Sequence, residues 1–339
     1  MGTRTYSRRG IDGTRILTRL GRERASQSIA VFNPSSLPIP LQKLLNYSYE
    51  QIDKVDIDLP SYAREREMVR ELGLNWENAA DRRLFADIIG FMGFGAINRL
   101  IGGRDVPIDP DNPDAGTFQT NSYRDVSTRN NKDIIQIENG YQATSSNGPK
   151  GFGYMQLARQ LAAAREIARR TGKTVQINVG ALNDFDVDDI DSEGNFAGGY
   201  GKLKVGLLVW PKMGYQFSFN EFAGIDIKND LKRMGFTEEQ LKDTATLMLS
   251  RTPSGLTGYD AWDKVLSREQ YSNVSLMGRT EITPNDVANN QITLAERVTQ
   301  EYGRRKGFLK SAIMETDTFT IDDNNTLREI WRELAREQR

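Results

Sequence analysis

The chain has 339 residues, a formal net charge of −1, 38% hydrophobic and 27% charged residues, and neither cysteine nor histidine. That length suits two or three domains, and the near-neutral balance provides no molecule-wide field to steer a partner. The missing residue types exclude disulfides, thiolate nucleophiles, Cys/His zinc sites, a Ser-His-Asp triad and any histidine acid or base, which leaves Asp, Glu, Tyr, Lys or water for proton transfer and oxygen ligands for any metal.

Residues 1–25 carry Arg4, Arg8, Arg9, Arg15, Arg19, Arg22 and Arg24 against Asp12 and Glu23. Such an arm neutralises phosphates or docks on an acidic face; it reads equally as a solvated terminus. The start lacks the apolar region of a secretory signal, and Ser7 falls one place late for the myristoylation pattern begun by Met1-Gly2. "VFNPSSLPIPLQ" (31–42) predicts an extended linker, so arm and linker together span 1–45.

Residues 46–120 read as a helical segment. "SYAREREMVREL" (61–72) predicts a helix capped by Ser61 and ended before Gly73. A second helix begins at 78 with Leu84, Ile88 and Ile89 on one face. It runs into "GFMGFGAI", whose small apolar residues suit close helix packing or a dimerising or membrane-inserting segment. Arg99 interrupts that stretch, and no run approaches the length of a membrane span. "VPIDPDNPDAG" (106–116) predicts a loop and a domain boundary.

From 121 to 225 the pattern alternates. "KDIIQIENGYQAT" (132–144) is strand-like. Residues 153–171 place Met155, Leu157, Ala158, Leu161, Ala164 and Ala168 in a helical stripe, with Gly172 just past the end. "TVQINVGA" (174–181) is a second strand, followed by an acidic loop, a helix around 200–213 and the strand "YQFSF" (215–219). The fold class expected is α/β (α+β), a mixed sheet with flanking helices and helical extensions at both ends. Residues 226–339 read as mostly helical. The last helix has Leu327, Ile330, Trp331, Leu334 and Ala335 on one face, a row of Arg328, Arg332 and Arg336, and a row of Glu329, Glu333 and Glu337. Its stripe must be covered by the chain's own core or, as a docking helix, by a neighbouring subunit.

The acidic loop 183–200 holds Asp184, Asp186, Asp188, Asp189, Asp191 and Glu193. Counted from Asp189, an EF-hand-like frame puts acids at Asp189, Asp191 and Glu193 and a glycine at Gly194, but Tyr200 stands where the bidentate Glu belongs. Calcium is therefore one reading. A solvated loop, or a contact for a basic arm, are the others.

"GPKGFGYMQLARQ" (148–160) joins the first strand to the helix. Tyr154 after Gly153 excludes a Walker loop, and Gln156 removes the third glycine of a dinucleotide fingerprint. What remains is Gly151-x-Gly153 at a helix N-terminus. The backbone of Lys150, Gly151, Phe152, Gly153 and Tyr154, with the Lys150 charge, suits a pyrophosphate; the same glycines also serve a plain turn.

This turn, followed by "GLLVWPKMGYQF" (206–217), resembles the GNAT superfamily of N-acetyltransferases, and more narrowly the acetyltransferase-like domains of tailed-phage virion proteins. "LMLSRTPSG" (247–255) extends the resemblance, which covers about 130–260. It implies a splayed sheet beside the glycine turn and a turn that holds the pyrophosphate of acetyl-CoA. Glu138, on the preceding strand, reads either as a base for an attacking amine or, more commonly for a lone Glu on a strand, as a solvated face residue. Four positions depart from the family pattern. Gly148 replaces the Arg or Gln that opens the loop, Leu207 and Leu208 replace paired tyrosines, and Trp210 replaces the tyrosine acid. An indole N–H is no usable acid. The expectation is a virion structural or assembly protein without transferase activity and without a cofactor. It would meet other virion subunits as a homo- or hetero-oligomer, and packaged DNA through Arg4, Arg8, Arg9, Arg15 and Arg19. Its location would be the virion, and the host cytoplasm before assembly. The alternatives are an acyl-CoA-dependent N-acetyltransferase and a DNA-binding protein led by the arm.

Overall fold

A mixed sheet with helices packed on it organises the chain. The computed structural model describes residues 37–90, 104–128, 133–144, 148–149, 151–184, 204–219, 224–266, 269–271, 274–306 and 321–338. The expectations for Arg4, Arg8, Arg9, Arg15 and Arg19, for Lys150, and for Asp189, Asp191 and Glu193 lie outside the described residues.

Among the described residues, three α-helices precede the sheet: α1 (Ile39–Asp53), α2 (Ala63–Glu71) and α3 (Ala79–Ile89). The linker reading of 31–42 is corrected from Ile39 onward. Prolines fit the first turn of a helix, whose N–H groups lack partners anyway, and α1 buries Leu41, Leu44, Leu45 and Ile52 at helical spacing. Ser61 lies in a single 3-10 turn before α2 and does not cap it; Tyr62 is the N-cap. Asn78 caps α3 by accepting from the Ala80 amide at 2.8 Å.

Strands β1 (Arg104–Pro107) and β2 (Thr117–Ser127) pair antiparallel, with buried Val106 opposite buried Phe118. The proline-rich stretch between them is therefore the turn of a hairpin within the sheet, not a domain boundary, and the sheet starts at residue 104 rather than 121. β3 (Ile134–Thr144) pairs antiparallel with β2 and parallel with β4 (Thr174–Asp184), and α4 (Phe152–Thr171) crosses between them. α4 buries Met155, Leu161, Ala164, Ile167 and Ala168, and Arg169 and Arg170 in its last turn complement the helix dipole.

Next come β5 (Lys204–Val205), the single-turn α5 (Gly206–Val209) and β6 (Gln216–Phe217). The helix expected around 200–213 is, among the described residues, only the turn Gly206–Val209, and Lys204–Val205 before it is strand. Pro211 cannot donate within a helix, and Gly214 has a positive φ of 87°.

The C-terminal region holds α6 (Gly224–Arg233), α7 (Thr244–Leu249), α8 (Gly258–Leu266), β7 (Ser275–Ile282), α9 (Pro284–Ala288), α10 (Leu294–Lys306) and α11 (Ile321–Glu337). The strand order is β1-β2-β3-β4-β7-β6, with β5 on the far end of β4. β7 lies between β4 and β6 and is antiparallel to both. This corrects the division of the core at residue 225, because 226–339 supplies an internal strand. β7 alternates exposed and buried, but its inward residues are Leu276, Gly278, Thr280 and Ile282, so the apolar signal is half what a strand usually gives.

The docking-helix expectation for α11 is corrected too. Leu327, Ile330, Trp331 and Leu334 are buried in this chain's own main core. Among the described residues no helix is long and apolar enough to cross a membrane, as expected.

Candidate functional site

The parallel pair β3–β4 is the centre of the candidate site. The two strands pair from Ile134↔Thr174 to Asn139↔Val179 and then part. Beyond that point β3 stays with β2 as far as Thr144, and β4 stays with β7 as far as Leu182. The divergence starts where the β2–β3 register slips, from Tyr123↔Tyr141 to Arg124↔Asn139, so Gly140 is the extra residue of a β-bulge. A bulge bends its strand and increases the local twist. The bulge falls where the β3–β4 pairing ends.

The glycine turn opens α4, the helix that links β3 to β4. Gly151 is the N-cap in a left-handed conformation (φ 84°), which a residue with a Cβ rarely adopts. The Phe152 amide donates to the Pro149 carbonyl at 3.1 Å, so one amide at the helix start is already engaged. Phe152 itself is fully buried, with its ring edge-on to Phe118 at 5.0 Å. It fixes the helix start to a small cluster made with Leu41, Leu44, Val106 and Met155. Gly153 and Tyr154 complete the first turn, both half-buried. The Tyr154 ring lies 6.1 Å from Tyr302 on α10, and its hydroxyl occupies the space that a Cβ on Gly303 would need. Burial pushes that hydroxyl up to about 12, so it stays protonated and is a poor acid near neutrality.

Glu138 lies on the parallel stretch of β3, before the gap. Its carboxylate accepts from Asn178 Nδ2 at 2.6 Å, and Asn178 Oδ1 accepts from Gln176 Nε2 at 2.9 Å. The structure thus places Glu138 in a side-chain ladder across the β3–β4 pair rather than alone on a strand.

Under α4, a polar network that sequence reasoning missed starts at Asn139, the last residue of β3 paired with β4. Asn139 and Gln160 exchange two amide hydrogen bonds of 2.9 Å, and Gln160 also donates to the Ile88 carbonyl at 3.0 Å. Arg124, fully buried on β2, donates to the same carbonyl at 3.0 Å and points a second nitrogen at Gln156 Oε1, 3.4 Å away. Burial lowers its guanidinium to about 10, still charged at neutral pH. Next to it, Arg159 donates to Asp87 at 2.6 Å, and Tyr49 donates to the same carboxylate at 3.1 Å. Buried polar groups of this kind hold their place only when they are hydrogen-bonded. The network locks the end of α3 to α4 and β2. A run of glutamines and arginines on the inward face of α4 was its only sequence signal.

The run from 206 to 215 is a packing hub. Trp262 Nε1 donates to the Leu207 carbonyl and Trp331 Nε1 to the Lys212 carbonyl, both at 2.8 Å. Lys212 is 1% exposed. Its ammonium pairs with Asp263, donates to Asn324 Oδ1 at 2.8 Å and sits 4.9 Å above the Tyr259 ring. Desolvation lowers its pKa in spite of Asp263. Trp210 is half-buried, edge-on to Tyr215 at 5.1 Å. Burial drives the Tyr215 hydroxyl upward, so this tyrosine is no neutral-pH acid either. Among the described residues the hub offers packing, hydrogen bonds and one buried ammonium, Lys212, which is already paired with Asp263.

No group of residues among those described forms a metal site. No family model, curated protein or solved structure matches the chain.

Proposed function

We propose that this protein is a structural or assembly component of a tailed-bacteriophage virion, built on an acetyltransferase-like domain that has lost its chemistry and works through contacts with other virion subunits. One observation carries the reading. The parallel strands β3 and β4 stop pairing beyond Asn139, a left-handed glycine opens the helix that links them, and the position of the acid holds Trp210, packed on Tyr215. A splayed pair at that turn is what the resemblance to GNAT-type virion proteins implies. Its retention, with Tyr154 and Tyr215 held protonated and Glu138 tied to Asn178, supports a kept shape without a kept reaction. The location that follows is the particle, and the host cytoplasm before assembly.

Two measurements test the halves separately. A mass-spectrometric inventory of purified particles should find the protein at fixed copy number, and its absence would reject the virion role. Incubation with acetyl-CoA and a panel of amines should release no free CoA thiol above the uncatalysed rate. Amine-dependent release that is lost in Glu138→Gln would restore the enzymatic reading.

A further inference from the structure

The two charged rows of α11 go to different places. Arg305 on α10 pairs with Glu329 at 3.2 Å and with Glu333, so the acidic row faces α10. The arginine row lines a cavity of about 420 Å³ between α11 and the turn that follows α7. Arg251 lines the opposite wall. A backbone bridge to Thr257 holds it there, across a tight turn closed by Thr252 N–H to the Leu256 carbonyl and Gly255 N–H to the Thr252 carbonyl, both 2.9 Å. Met248, Leu249 and Ala335 supply the apolar part of the lining, and no acidic side chain lines it.

Arg328 is already committed. It donates to Asp260 at 2.8 Å and to Asn325 Oδ1 at 2.8 Å, and stacks 5.6 Å above Tyr259. Arg251, Arg332 and Arg336 are exposed, and among the described residues none of the three has an ion-pair partner. Three uncompensated guanidinium groups facing one concavity raise the local concentration of anions. Each presents a planar fork that matches phosphate oxygens. Arg332 and Arg336 are one helical turn apart, about 6 Å along the axis, a spacing that reaches separate phosphoryl groups of one linear chain. The volume falls in the range of small-ligand sites, roughly 300–1,000 Å³, and the arginines line it from two sides, α11 and the turn after α7.

We propose that this pocket binds a small molecule bearing a linear oligophosphate, held by Arg251, Arg332 and Arg336 and separate from the strand gap. Calorimetric titration of the full chain with inorganic tripolyphosphate at low salt should show saturable one-to-one binding that weakens as salt is added. Arg332→Ala with Arg336→Ala should weaken it at least about tenfold, and Arg251→Ala should weaken it from the other wall. All three side chains are exposed, and unchanged unfolding curves will verify that the variants fold. A charge-matched control, Arg169→Ala with Arg304→Ala, removes two exposed arginines paired elsewhere and should leave binding unchanged. Tighter binding of ATP than of tripolyphosphate would assign the ligand as a nucleotide, and equal binding would assign the phosphate chain alone. The proposal fails if neither compound gives saturable heat, if the control loses as much affinity as the pocket variant, or if only single-stranded DNA binds.

Discussion

Gly214 illustrates how a single position can be set by a close approach. Its φ is 87°, and a Cβ there would lie 2.8 Å from the Leu294 carbonyl carbon of α10. Gly214→Ala should therefore cost on the order of 3 kcal/mol, combining overpacking with left-handed strain. A urea midpoint equal to that of the parent protein would show that α10 can move away. Glu166 tests a charge instead. A hydrogen bond from Arg169, with a second from Arg170, holds its carboxyl down to about 2 from an ordinary 4.5. A depressed folded-state pKa gives stability that is present above the unfolded value and is lost as pH falls through about 4.5 toward 2. Glu166→Gln should flatten the stability–pH curve in that window and leave its slope between pH 6 and 8 unchanged. Urea midpoints measured from pH 7 down to pH 2 will show whether it does.

Among the elements, α11 is bound to the core through Trp331, which is 1% exposed and donates to the Lys212 carbonyl at 2.8 Å. Trp331→Ala should cost about 3–5 kcal/mol in a denaturant titration. A loss below about 1 kcal/mol would mean that the helix is carried by its remaining apolar residues. The stripe on α11, the strands β3 and β4 and the helix α4 were all legible in the sequence, because each repeats its apolar residues at the period of its structure. α1 was hidden by Pro38 and Pro40, which read as linker yet sit where a helix tolerates them. β7 was hidden because half of its inward positions are Gly278 and Thr280. At the site, Gly151 and Glu138 could be singled out by type and position. The gap beside them came from resemblance rather than from periodicity. The Arg124–Gln156 and Asn139–Gln160 pairs join residues distant in sequence, and no local pattern announces such contacts. The arginine row of α11 was visible, but Arg251 on the facing wall was not, for the same reason.

Over the whole molecule, the sheet and the C-terminal region form one packing unit. The main core joins α2, α3, α4, β4, α6, α8, α10 and α11, and Tyr259, Trp262 and Trp331 pack on the 206–215 hub. A chain ended at residue 225 would leave the outer edge of β4 without β7 and the hub without Trp262 and Trp331. Such a fragment should lack a cooperative unfolding transition and should be cut rapidly by protease; a sharp two-state transition in it would mean that the first half is a self-sufficient domain.

The place of β7 also has a consequence for how the protein is made. A ribosome releases β4 and β6 long before Ser275–Ile282 emerges, so the nascent sheet must wait with a ladder of bare amides and carbonyls down its middle. During that interval the growing polypeptide is open to sticking to its neighbours, and chaperone capacity and the pace of translation through residues 185–275 should govern the soluble yield more than the final stability does.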